Sequence, residues 1–276
     1  MPYVQIPGAR IWYQIKGKDN EVIAQIHGAG FGHDNFATVS PLLAKNFKVL
    51  DYDMRGYGLS DRPKQKYSME SWADDLNDML NALKIPRAHI HGTSMGGMVA
   101  LKFTVKYPAK VKSLIVGCTA CKADKTMKLM FGGWKYIAQK EGMGSRLLAE
   151  TLGIQALARE FMDGPQGLKN VEQIRVILEK NNDVRVFSAA CQAMIDLDLT
   201  HEIRKIRSPT LILVGDQDVM TPLDQGPIGG GSRVIHDQIR NSTLKILKGC
   251  GHTFLFERPE ESARLVTSFV NKQVKS

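Results

Sequence analysis

The pentapeptide Gly92-Thr93-Ser94-Met95-Gly96 constrains the fold of this chain more than any other stretch. It follows Ala88-His89-Ile90-His91, which reads as a strand expected to stop at Gly92. It leads into Met95 to Tyr107, which reads as a helix closed by Pro108. A chain that passes from strand to helix this abruptly needs small residues flanking the turn. The serine at the tip then exposes its hydroxyl near the positive end of the helix. The five letters alone are common; after a strand and before a helix they specify a nucleophile elbow.

The rest of the chain supplies the elements that such an elbow needs. Val4-Gln5-Ile6 and Ile11 to Ile15, joined through Pro7-Gly8-Ala9, read as an antiparallel hairpin. Glu21 to Ile26 is a third strand, Phe47 to Tyr52 a fourth, and Val111 to Val116 the one after the elbow helix. Ser68 is placed to cap a helix whose apolar face carries Trp72, Leu76, Met79, Leu80 and Leu83. Strands return at Pro209 to Val214 and Thr243 to Leu247, with a helix expected from Val234 and a closing helix from Pro259. Alternation of this kind predicts an α/β fold, a mostly parallel central sheet flanked by helices. Between Cys121 and Arg207 the pattern is helical and irregular. The expected organisation is therefore a core over 1–120, an inserted helical cap over 121–206 and the second part of the core over 207–276.

A serine hydroxyl is a poor nucleophile until a base takes its proton. His252, in the loop Gly249-Cys250-Gly251-His252 between the last strand and the last helix, is the candidate base. A histidine in that role needs an acid to hold its tautomer and stabilise the imidazolium. Asp218, in Gly215-Asp216-Gln217-Asp218 after the strand ending at Val214, is the candidate acid. Ser94, Asp218 and His252 thus follow three different strands, at the ends where open α/β sheets place their sites. Acyl transfer also needs two N–H donors for an oxyanion. Met95 is one by position; Ala29, in His27-Gly28-Ala29-Gly30 after the third strand, is the other, with Gly30 as second choice. The Gly28-x-Gly30 pair is no dinucleotide fingerprint, because position 33 is histidine where the third glycine belongs.

Composition narrows the field further. Hydrophobic residues make up 43% and charged residues 24%, which is the make-up of a folded domain and not of a disordered chain. Met1-Pro2-Tyr3-Val4-Gln5 lacks the basic start of a signal peptide, and no apolar run nears the ~18 residues of a membrane span, so a cytoplasmic protein with no membrane partner is expected. The four cysteines then read as reduced thiols. Cys118-Thr119-Ala120-Cys121 has no second pair to complete a zinc site, and His89-x-His91 has no further ligands at suitable spacing, so no metal is expected. Lys102 to Lys140 holds nine lysines against one acid, Asp124. Without arginines and stacking aromatics this is no nucleic-acid surface. It is either a solvated face or a field that draws anionic small molecules.

In these motifs the chain resembles the α/β-hydrolase superfamily. The matching pieces are His27 to Gly30, Asp51-Tyr52-Asp53-Met54-Arg55-Gly56-Tyr57-Gly58-Leu59-Ser60-Asp61, Gly92 to Gly97, Gly215 to Asp218 with Thr221-Pro222, and Gly251-His252. Within it the chain most resembles the 3-oxoadipate enol-lactonase-like branch and small bacterial esterases. In such proteins the acid is the second aspartate of the turn, which selects Asp218 over Asp216. Ser94 stands where haloalkane dehalogenases and epoxide hydrolases carry aspartate, and Ala29-Gly30-Phe31 differs from the H-G-G-P-G loop of proline iminopeptidases. The resemblance implies a serine hydrolase that needs no cofactor and cleaves a small carboxylic ester or lactone, an anionic one if the lysines face the site. Two rival readings are a carbon–carbon bond hydrolase of ring-cleavage products with the same triad, and a receptor that keeps the triad as a ligand pocket.

Overall fold

Residues 2–274 are described by a computed structural model. The hairpin forms as β1 (Tyr3–Ile6) and β2 (Ala9–Lys16), and Gly8 takes the positive φ of 77° that its tight turn requires. The other strands are β3 (Val22–Ile26), β4 (Lys48–Tyr52), β5 (Ala88–Thr93), β6 (Val111–Gly117), β7 (Thr210–Gly215) and β8 (Ser242–Leu247). They pair in the order β1-β2-β4-β3-β5-β6-β7-β8, antiparallel at β1–β2 and β2–β4 and parallel across the rest. One sequence expectation is corrected: β5 does not stop at Gly92. Gly92 pairs with Ile26 on one side and Val116 on the other, and the strand runs on to Thr93. Two parallel neighbours carry the ladder through a residue that, read alone, looks like a breaker.

The helices are α1 (Ser40–Leu43), α2 (Met69–Ala82), α3 (Met95–Lys106), α4 (Lys125–Glu141), α5 (Arg146–Ala156), α6 (Arg159–Met162), α7 (Gly167–Asn181), α8 (Val184–Ile195), α9 (Ser232–Gln238), α10 (Phe254–Glu257) and α11 (Pro259–Val274). Ser68 caps α2 as expected, and Ser71 returns the bond to close a capping box. Alternate residues of the central strands feed two layers. Ala24, Ile26 and Leu50 join Trp72, Leu76, Met98 and Phe103 on one face. Ile23 and Val49 join Leu43, Phe47, Val266 and Val270 on the other.

From β6 the chain leaves the sheet and runs through α4 to α8 before β7. Asp124, Ser145 and Asp183 start α4, α5 and α8 by accepting from backbone N–H groups in the first turn. α4 packs on α8 and α5 on α7. The exit and return lie side by side, because Leu199 N–H donates to Cys121 C=O at 2.7 Å and Lys122 pairs antiparallel with Asp198. The glycine-rich loop before α9 closes on this junction. Cys121 N–H donates to Gly230 C=O at 2.8 Å, and a Cβ on Gly230 would lie 2.7 Å from Cys121 Sγ. No helix among the described residues is long and apolar enough to cross a membrane.

His91, on β5, is fully buried against Phe36, and its Nδ1 accepts from Gln25 Nε2 at 3.1 Å. Burial lowers its pKa to about 3. The unfolded chain therefore binds a proton that the native state refuses, and stability falls as pH drops below the ordinary histidine value near 6.5. Between pH 7 and pH 5 this one residue should remove on the order of 1–2 kcal/mol. Urea unfolding of wild type and His91→Leu at both pH values checks this: the variant should lose less stability on acidification, and equal losses would refute it.

Candidate active site

The elbow is built as the sequence requires. Ser94 sits between β5 and α3 with φ 55° and ψ −125°, a conformation rarely adopted by a residue with a side chain. Its carbonyl is held from three sides, by the N–H groups of Gly97 and Met98 and by Thr119 Oγ at 2.7 Å. Both flanking glycines are forced by close approach: a Cβ on Gly92 would overlap the Gly96 carbonyl, and one on Gly96 would overlap the carbonyl of Ile26.

His252 follows β8, in a loop anchored from several directions. Asp216 accepts from Gly249 N–H at 2.8 Å, and Glu257 accepts from Gly251 N–H at 3.0 Å and from Thr253 Oγ at 2.8 Å. The end of α5 grips the same loop, since Ala156 C=O accepts from His252 N–H at 2.7 Å. The imidazole Nδ1 faces both carboxylate oxygens of Asp218, at 3.0 and 3.1 Å. Asp218 is fully enclosed and also accepts from the N–H groups of Met220 and Thr221 and from Thr221 Oγ at 2.8 Å. Burial pushes the Asp218 carboxyl up, but the imidazole and the Thr221 bonds outweigh it and hold the group below its ordinary value. Asp216 has none of these contacts to His252; it fastens the loop instead.

Cys118 Sγ, Asp218 and His252 bring three donor atoms within 4.8 Å of one another, the arrangement closest to a metal set among the described residues. Burial and the adjacent Asp218 charge push the Cys118 thiol well above its ordinary value. A protonated thiol beside a carboxylate already holding several donors suits a hydrogen-bonding frame better than a ligand set. The four cysteines are free and buried.

Ser94, His252 and Ala29 line one cavity of about 290 Å³, between the C-terminal ends of the strands and helices α4, α5 and α7. The Ala29 loop is fixed by Gly28 N–H donating to Asn35 Oδ1 at 2.7 Å and by Asn182 Nδ2 donating to Gly30 C=O at 2.7 Å. Under it, buried His27 accepts from Met54 N–H through Nε2 and meets Gly28 C=O through Nδ1, which fixes its tautomer. Among the described residues no hydrogen bond occupies the N–H of Ala29 or of Met95, and none joins the Ser94 hydroxyl to His252. Contacts between a candidate nucleophile and a candidate base commonly tighten only when substrate binds.

Sequence reasoning quoted His27 and Thr221 within matching motifs without giving them a role and missed Asn35, Asn182 and Glu257; together these hold the loops that carry the candidate groups. Asn35, Asn182 and Glu257 have no local signature. Four of the nine lysines in the lysine-rich stretch form ion pairs: Lys102 with Glu202, Lys106 with Glu70 and Asp74, Lys112 with Glu21, and Lys122 with Asp198. None of its nine lysines lines the cavity.

Residues 17–259 match the family described as serine aminopeptidase, S33. A proline iminopeptidase of Thermoplasma volcanium is 28% identical, over 99% of this chain and 97% of its own length. A 2-hydroxy-6-oxo-2,4-heptadienoate hydrolase of Pseudomonas putida is 29% identical, over 92% of this chain and 90% of its own. The crystal structure of an enol-lactonase from Burkholderia xenovorans LB400 superposes with a TM-score of 0.87 at 24% identity, covering 98% of this chain and 100% of that one, a likeness of fold.

Proposed function

The chain belongs to the serine aminopeptidase S33 family of α/β-hydrolases, and we propose that it hydrolyses a small carboxylic ester or lactone through an acyl-enzyme on Ser94. One observation carries this reading: a half-buried serine in a strained conformation shares a cavity with a histidine whose far nitrogen is held by a buried carboxylate. Ser94 Oγ attacks the acyl carbon while His252 Nε2 takes its proton. Asp218 keeps Nδ1 protonated and steadies the imidazolium. The N–H groups of Ala29 and Met95 receive the oxyanion. His252 then gives the proton to the departing alkoxide, and water, deprotonated by the same nitrogen, releases the acid and restores Ser94. The helices from 121–206 act as a cap over the cavity, and the sheet on either side, 1–120 and 207–276, carries the reacting groups. None of these steps calls for a cofactor.

The likeness to the Pseudomonas hydrolase favours a second reading, cleavage of a carbon–carbon bond by the same residues. Pre-steady-state hydrolysis of p-nitrophenyl butyrate should release a burst of about one p-nitrophenolate per Ser94, because so activated an ester acylates the serine faster than water clears the acyl-enzyme. Turnover of a ring-cleavage dienone with no ester burst would replace the ester reading with the second one.

A further inference from the structure

The cavity wall opposite the sheet is one face of α7, where Asn170, Ile174 and Ile177 recur at helical spacing. Asn170 breaks the pattern. It is only 6% exposed and has apolar Val171 and Ile174 beside it on the buried side of the helix. Its side chain makes no hydrogen bond within the described residues, and its Nδ2 is fully buried without a partner. A buried amide is normally satisfied, so one left open at the wall of a cavity marks a place for a ligand atom. A flip of the side chain exchanges the two ends of the amide and places Nδ2 where Oδ1 now stands, on a residue that lines the cavity. The lining also has a one-sided charge. Among the described residues that form it none is lysine or arginine, and the one carboxylate is Asp34. Asp34 is already engaged by Gly32 N–H and Asn181 Nδ2. An anionic substrate would lose its hydration here with no cation to receive it.

Building on the ester or lactone reading, we infer that the site takes an uncharged substrate with an apolar body and a second oxygen, distant from the scissile carbonyl, that accepts a hydrogen bond from Asn170. Trp134, Leu152, Ile174 and Ile177 pack the hydrocarbon, and the oxygen fixes its register. Asn170 is therefore a specificity residue: it touches substrate and takes no part in bond making.

The test uses full-length enzyme and pairs of esters that differ only in an oxygen. On the acyl side, p-nitrophenyl keto-esters with the ketone one, two or three carbons beyond the scissile carbonyl are set against their methyl-branched isosteres. On the alcohol side, acetonyl butyrate is set against isobutyl butyrate, and p-nitrophenyl hemisuccinate supplies the anion. In wild type at least one keto-ester should exceed its isostere in kcat/KM, and hemisuccinate should be the poorest substrate. Asn170→Leu should cut that keto preference about tenfold, mainly through KM, as loss of one hydrogen bond made equally in ground and transition states predicts. Asn170→Gln, which keeps the amide, should retain part of it. Fluorophosphonate labelling at Ser94 reports whether each variant is folded. An unchanged preference in Asn170→Leu, no preference in any wild-type pair, or hemisuccinate turned over as well as the keto-esters would overturn the inference while leaving the hydrolase reading standing. No labelling and no ester turnover in wild type would overturn both.

Discussion

Ser94→Ala should lower kcat by about 10⁴- to 10⁶-fold and leave the fold intact. The loss is large because base, acid and oxyanion donors act on the one proton and one bond that Oγ supplies. Their contributions vanish together when it is removed. The fold should survive because the elbow is secured through the Ser94 carbonyl and the close approach of Gly92 and Gly96, none of which uses the hydroxyl. Steady-state kinetics with thermal unfolding alongside check both halves. Activity above about a hundredth of wild type would show that another group is the nucleophile.

Asp218→Asn should cost about 10⁴ in kcat, by analogy with the loss seen when a triad acid is made an amide and the histidine takes the wrong tautomer. Asp216→Asn should cost less than about tenfold, since Asp216 fastens the loop through Gly249 and Cys250 and never reaches the imidazole. The two residues are two positions apart and both are aspartates, so the contrast isolates position from residue type. Because its surroundings hold Asp218 below the ordinary carboxylate range, it stays ionised through pH 5. The acid limb of the wild-type pH–rate profile should therefore not come from this residue. The reverse ranking of the two variants would move the acid to Asp216.

The elements that carry the candidate groups were legible because their signals are local. The strand–glycine–serine–glycine–helix run can be built in few ways, and Ser94, Asp218 and His252 each follow a strand that the chain marks by its residues and flanking turns. The end of β5 was misplaced because pairing with β3 and β6, which decides it, is not local. The four-residue α1 and α10 have too few residues for a periodic pattern. The cavity wall was illegible for a different reason. Trp134, Leu152, Asn170 and Ile177 come from three helices whose mutual packing selects which face turns inward. Periodicity alone gives each helix an apolar face without naming its partner. The same limit applies to the lysines, whose charge could be counted but whose acidic partners, Glu21, Glu70, Asp74 and Glu202 among them, lie far away in the chain.

The central claim is that Ser94 is an activated nucleophile in a cavity shaped for an acyl group. Intact-mass and peptide mapping after treatment with a fluorophosphonate measure this directly. The phosphonate should add once per chain, on the peptide carrying Ser94, and the rate of addition should collapse in His252→Ala, which lacks the base. Labelling on any other residue, or labelling of Ser94 at the same rate without His252, would contradict the account.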